Sequence, residues 1–228
     1  MIPVGAAIVA VALGVALVPL SRSKPSYVSF LDGFMLIGVG GVLIIGLLPH
    51  SWATAGWWSV GALLLGACLP LLLERFHHRT AEAHRSLGFL LTAATGLAIH
   101  AFLDGGALAA RHVDDGEHSR ALELGVLMHR LPMGVMLGML AGKQMHRAWL
   151  AAVIIAIGTI GGYSVGVHAL PQLGLQMLSV FQAVVAGTLV HVLYAHSPIR
   201  KSNRYHHSNT IGMLMGVVFL AAIDALHH

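Results

Sequence analysis

Residues 148–168 read AWLAAVIIAIGTIGGYSVGVH, a run without a single Asp, Glu, Lys or Arg. A helix needs about 20 predominantly apolar residues to cross the hydrocarbon core of a bilayer. Seven further stretches of this kind lie near 2–20, 31–49, 57–74, 87–110, 121–142, 173–196 and 209–226. The chain is therefore expected to be an all-α integral membrane protein, with one transmembrane domain of eight helices over residues 1–228. The first stretch contains Pro3 and lacks the basic start and small-residue cleavage site of a signal peptide, so it counts as a span.

Composition agrees with this reading. Hydrophobic residues make up 57% of the chain, charged residues 10%, and the mean hydropathy is +0.79. A soluble domain carries about 25% charged residues to cover its surface. The single cysteine, Cys68, sits in an apolar run, which excludes disulfides and thiolate metal clusters.

A pI near 9.6 would suggest nucleic acid as the partner of a soluble protein. Here the distribution of the charges points to the bilayer instead. Arg22, Lys24, Arg75, Arg79, Arg85, Lys143, Arg147, Arg200, Lys201 and Arg204 all follow odd-numbered stretches, whereas only Arg111 and Arg120 follow even ones. The positive-inside rule then puts the odd-to-even connections in the cytoplasm and both termini outside. The expected location is a cell membrane, of the bacterial inner-membrane type, with the chain passing through many times.

Ionisable groups are costly inside a membrane and mark function by default. The fourth stretch contains His100-Ala-Phe-Leu-Asp104, and residues four apart share a helix face. The fifth contains His129-Arg130-Leu-Pro132-Met133, with the same spacing from His129 to Met133. Two adjacent helices can thus offer two imidazoles, a carboxylate and a thioether to one point. Imidazole and carboxylate suit a borderline divalent ion such as Zn²⁺, with Cd²⁺, Co²⁺, Ni²⁺ and Mn²⁺ behind it, while a thioether is softer and leaves Cu⁺ open. Pro132 removes the helical partner of the Met128 carbonyl, so a kink is expected there. His168 and His191 read as lone histidines that bond a neighbouring helix.

Arg130 needs a partner at that depth. Asp104 is the only acidic residue in the middle of the fourth to sixth stretches, so Arg130 is expected to pair with it or with water beside it. Two connections carry further metal-capture candidates: an outer one with His112, Asp114, Asp115, Glu117 and His118, and a cytoplasmic one with His77, His78 and His84. Either can equally be an ordinary solvated connection.

At these residues the chain resembles the ZIP (Zrt/Irt-like) family of divalent metal-ion transporters. The resemblance extends through Gly38-Val-Gly-Gly41 to Leu48-Pro49-His50-Ser51, Gly158-Thr-Ile-Gly-Gly162-Tyr163, Ala186-Gly187-Thr188 with His196-Ser-Pro198, and Gly212-Met-Leu-Met-Gly216 to Asp224. It implies eight helices with both termini outside, a homodimer, and influx of the metal as transported substrate rather than cofactor. It also implies that helices one, four, five and six move as a unit against the others. Carried over by position, the metal ligands are His100, Asp104 in place of a usual Glu, His129, and Met133 in place of another Glu. The positions of a second metal are Ala101, Arg130 and Ile155, so the resemblance implies a one-metal variant with a fixed cation where the second ion would lie. A non-transporting metal-binding or sensor homologue and an intramembrane zinc-dependent hydrolase are the alternatives. The hydrolase lacks a further carboxylate or Ser beside the site, so the chain is expected not to be an enzyme.

Overall fold

The structure is a computed structural model that describes residues 2–24, 26–78, 87–113, 116–195 and 206–227. Among these residues all regular structure is helical: α1 (Ile2–Ala16), α2 (Val18–Ser23), α3 (Ser26–Gly41), α4 (Leu48–Ala55), α5 (Trp57–His78), α6 (Leu87–Ala110), α7 (Glu117–Leu140), α8 (Met145–Ala169), α9 (Leu175–Ala195) and α10 (His206–His227). Among the described residues every apolar stretch read from the sequence falls mainly on helix, although two are subdivided. The first breaks at Leu17, just before Pro19, into α1 and α2. The second begins earlier than its apolar run and continues as one helical segment, Ser26–Ala55.

Inside that segment Val42–Leu47 is π-helical. Pro49 has no N–H for the Ile45 carbonyl, and its ring crowds that carbonyl. The turn widens, and the Leu48 N–H donates to the Leu43 carbonyl, five residues back.

Ser26–Ala55 and Met145–Gln172, 30 and 28 residues with mean hydropathies of 2.2 and 2.0, are long and apolar enough to cross a membrane. Helices α6 and α7, of 24 residues each, are about 36 Å long. Outward-facing side chains are strongly apolar: Ile44, Ile45, Leu150, Ile157 and Leu214 are all more than 60% exposed. Asp104, His129, Arg130 and Gln182 are fully buried. Apolar side chains thus cover the outside as well as filling the core, and a few polar residues are buried among them.

The helices associate in pairs: α1 with α7, α3 with α10, α5 with α9, and α6 with α8. Each pair crosses at facing glycines, namely Gly14 and Gly134, Gly33 and Gly212, Gly66 and Gly187, and Gly105 and Gly162. In every pair, a Cβ on either glycine would overlap the carbonyl three residues before the other. Gly105 lies against the Thr159 carbonyl, for instance, and Gly162 against that of Phe102. Small residues at a crossing let backbones approach closely, which is how membrane helices gain packing energy without a hydrophobic driving force. The α1–α7 contact advances in the same direction on both helices. Gly14 meets Gly134, Val18 meets Gly138, and Arg22 donates to the carbonyls of Gly138 (2.8 Å) and Gly142, so the pair is parallel.

Candidate metal centre

Helix α6 presents His100 and Asp104 one turn apart, with His100 Nε2 3.4 Å from Asp104 Oδ2. Helix α7 brings His129 to the same oxygen, its Nε2 at 3.2 Å. The ring orientation of His129 is fixed from behind. Its Nδ1 lies 3.0 Å from the Gly125 carbonyl, which can only accept, so Nδ1 carries a proton and the neutral ring keeps its lone pair on Nε2. The two imidazoles meet at 73° with centroids 5.6 Å apart. One ligand atom from each of His100, Asp104 and His129 falls within 4.8 Å of the other two.

None of these contacts has hydrogen-bond alignment. His100 Nε2, both carboxylate oxygens of Asp104 and His129 Nε2 are buried without a hydrogen-bond partner. A buried polar atom left unsatisfied costs about 1–3 kcal/mol. Lone pairs converging in this way match a divalent cation with nitrogen and oxygen ligands.

Arg130 completes the cluster. Its NH2 atom lies 2.9 Å from Asp104 Oδ2, and both side chains are fully buried, so the pairing expected from the sequence is present. Both imidazoles and the guanidinium therefore address one oxygen. The guanidinium cannot be deprotonated in a protein, so with neutral imidazoles the cluster has no net charge. Two unit charges 4 Å apart interact by about 4 kcal/mol at an effective dielectric of 20. A divalent ion on the same oxygen would feel roughly twice that as repulsion from Arg130.

Met133, Ala101 and Ile155 share apolar surroundings. They are buried in an apolar cluster with Val11 and Val15 of α1 and Ala148 and Ala152 of α8. Ala101 and Ile155 thus fill with hydrocarbon the region where the resemblance puts second-metal ligands. Met133, next to them, is surrounded by packing partners. Met133→Leu conserves volume and is expected to cost less than about 1.5 kcal/mol. It is also expected to leave the order of ion competition unchanged. A weakened preference for Cd²⁺ or Cu⁺ in that variant would show that the sulfur is a ligand.

The structure revises several placements. Glu117 and His118 belong to the first turn of α7, and His77 and His78 to the last turns of α5, rather than to connections. Asp114, Asp115 and His84 lie outside the described residues. His112, in the turn after α6, contacts the Tyr163 hydroxyl at 2.6 Å and lies outside the metal cluster. Helix α7 runs through Pro132 without interruption. His168 is exposed, with Nδ1 2.8 Å from the Ser164 carbonyl of its own helix. His191, read as a lone helix-bonding histidine, is buried on α9 within electrostatic reach of His100. Sequence reading also passed over Glu123 of α7, which meets Arg111 at 3.1 Å.

No family model matches the chain, and no curated protein matches it in sequence.

Proposed function

We propose that this chain is an eight-span membrane protein that carries a divalent metal ion, zinc foremost, toward the cytoplasm through one site made by His100, Asp104 and His129. The observation that carries this reading is the convergence of three buried ligand atoms from two helices, none of them with a hydrogen-bond partner. Two imidazoles and one carboxylate form a three-ligand set of the kind zinc takes while a further position stays open for water or an exchanging ligand. A transported ion needs a site that it can leave.

The packing supports a moving unit of the kind the ZIP resemblance implies. Helices α1, α6, α7 and α8 contact one another, and the strongest associations of α3 and α5 are with α10 and α9. On this reading the first group carries the ion past the second, in a homodimer, with both termini outside. The hydrolase alternative needs a further carboxylate or Ser as base or nucleophile, and among the described residues no fourth His, Cys, Asp or Glu joins the cluster. One observation favours the second reading, a metal-binding homologue that does not transport. Arg130 already occupies Asp104, and an ion must displace it.

Zinc uptake into proteoliposomes separates the two. Saturable uptake is expected from the native chain. His100→Ala and His129→Ala are expected to abolish it without loss of folded protein, and His168→Ala to leave it within about twofold, since surface substitutions are usually within ±0.5 kcal/mol. Zinc binding without uptake would favour the non-transporting homologue. Equal losses from His168→Ala and His100→Ala would show that general packing had been mistaken for a site.

A further inference from the structure

Two ion pairs bridge the seam between α6 and α7. Asp104 of α6 meets Arg130 of α7 at 2.9 Å, and Arg111, just after α6, meets Glu123 of α7 at 3.1 Å. Asp104 and Arg111 are seven residues apart, and so are Glu123 and Arg130. The pairs are therefore successive contacts in one antiparallel register, with the charges exchanged between the helices. Seven residues is nearly two full turns, so Glu123 and Arg130 project from one face of α7, about 10.5 Å apart along its axis. An extended Arg and an extended Glu side chain together span that distance.

The two pairs differ in their access to water. Both members of the inner pair are fully buried, whereas the Arg111 side chain is 41% exposed and that of Glu123 16%. Arg130 is permanently charged, and a buried charge left without its partner is strongly destabilising. A divalent ion that binds Asp104 therefore has to leave Arg130 with another anion. Glu123 stands two turns above it on the same helix face. Its present partner, Arg111, is already half in solvent, and an exposed ion pair of that kind contributes little when lost.

We propose that Arg130 is an intramolecular counter-ion: it holds Asp104 while the site is empty and passes to Glu123 when a divalent ion takes Asp104, releasing Arg111 to the aqueous face. This rests on the proposed metal site and adds a device to it. Neither state leaves a bare buried charge on the seam. In the empty state Asp104 is neutralised by Arg130. In the loaded state the metal neutralises Asp104 and Glu123 neutralises Arg130. An empty carrier of this design returns across the membrane without exposing an uncompensated carboxylate to hydrocarbon. Loading is also all-or-none, because metal and guanidinium compete for one oxygen.

The test uses the full chain in lipid nanodiscs and zinc chloride as the probe. Binding is measured by calorimetry for the native chain, Arg130→Gln, Glu123→Gln and the double variant. Removing the competing cation in Arg130→Gln is expected to tighten zinc binding by at least about tenfold, given the size of the repulsion. Glu123→Gln is expected to weaken binding by a similar factor in the native background and to have no effect once Arg130 is gone, because residues coupled in one network are non-additive. Equal effects of Glu123→Gln in both backgrounds would show that Glu123 only attracts cations at the mouth, and would overturn the exchange. Weaker binding in Arg130→Gln would overturn it too, since Arg130 would then be positioning Asp104 for the metal. A second readout needs no Arg130 variant and serves if Arg130→Gln does not fold. Labelling of Arg111 by phenylglyoxal, followed by mass spectrometry, is expected to rise when zinc is added to the native chain and to be high without zinc in Glu123→Gln. Zinc heat with unchanged Arg111 labelling overturns the exchange and leaves the metal site standing. No zinc heat in the folded native chain overturns the metal site and the exchange together.

Discussion

Asp104→Ala is expected to abolish zinc binding and uptake outright, the largest functional effect of any single substitution in this chain. All three other members of the cluster address one oxygen of Asp104, so its loss removes the only anionic ligand and the point on which the imidazoles converge. Two neutral imidazoles carry no negative charge with which to attract a divalent cation. Stability falls as well. Breaking a buried ion pair by deleting one partner costs about 3–5 kcal/mol, because the other charge stays behind. The loss in Asp104→Ala is expected at the lower end of that range, since Arg130 can reach Glu123. Asp104→Ala combined with Glu123→Gln strands Arg130 altogether and is expected to leave little folded protein. Thermal melts of the two variants in detergent, run beside zinc calorimetry, check both parts. Residual zinc affinity near the native value in Asp104→Ala would remove Asp104 from the site.

The second large effect concerns a single methyl group. Gly162→Ala puts a Cβ on the backbone carbonyl of Phe102, which cannot rotate away as a side chain could. The α6–α8 crossing must then open, which carries His100 and Asp104 away from α7. We expect destabilisation of about 4 kcal/mol or more, a size reserved for a few mechanisms such as backbone overpacking. Gly5→Ala is the control. A Cβ at Gly5 meets nothing within 4 Å, and at such a helical position Ala is expected to stabilise by about 0.4–1 kcal/mol. The two substitutions are chemically identical and opposite in sign, so comparing their melting temperatures isolates the crossing. A native-like melting temperature for Gly162→Ala would mean that the helices do not approach there.

Much of this architecture is legible in the sequence, for identifiable reasons. Apolar runs of bilayer length dictate helices, because every backbone group must be satisfied within the segment. The 100/104 spacing puts an imidazole and a carboxylate on one face, and a scarcity of acidic residues at mid-depth names Asp104 as the partner of Arg130. What escapes the sequence depends on how helices meet. The exchange of charges between Asp104–Arg130 and Arg111–Glu123 requires the α6–α7 register, and the proximity of His191 to His100 requires that α9 pack near α6. Met133 shares the four-residue spacing of a ligand but lies beside Ala101 and Ile155 among apolar side chains. Glu117 and His118 read as part of an acidic connection, yet an acidic residue in the first turn complements the helix dipole, and α7 begins there. Helix α7 continues through Pro132, as a helix can where neighbouring helices and local adjustments re-satisfy the freed backbone groups.

The central claim is that His100, Asp104 and His129 together hold one divalent ion. Zinc K-edge X-ray absorption on the zinc-loaded protein tests it most directly, with elemental analysis of the same sample. The account predicts one zinc per chain in a shell of nitrogen and oxygen at about 2.0–2.1 Å, with two imidazoles and no sulfur, and loss of that zinc in His129→Ala. A sulfur shell near 2.3 Å, or an unchanged spectrum and zinc content in His129→Ala, would contradict it.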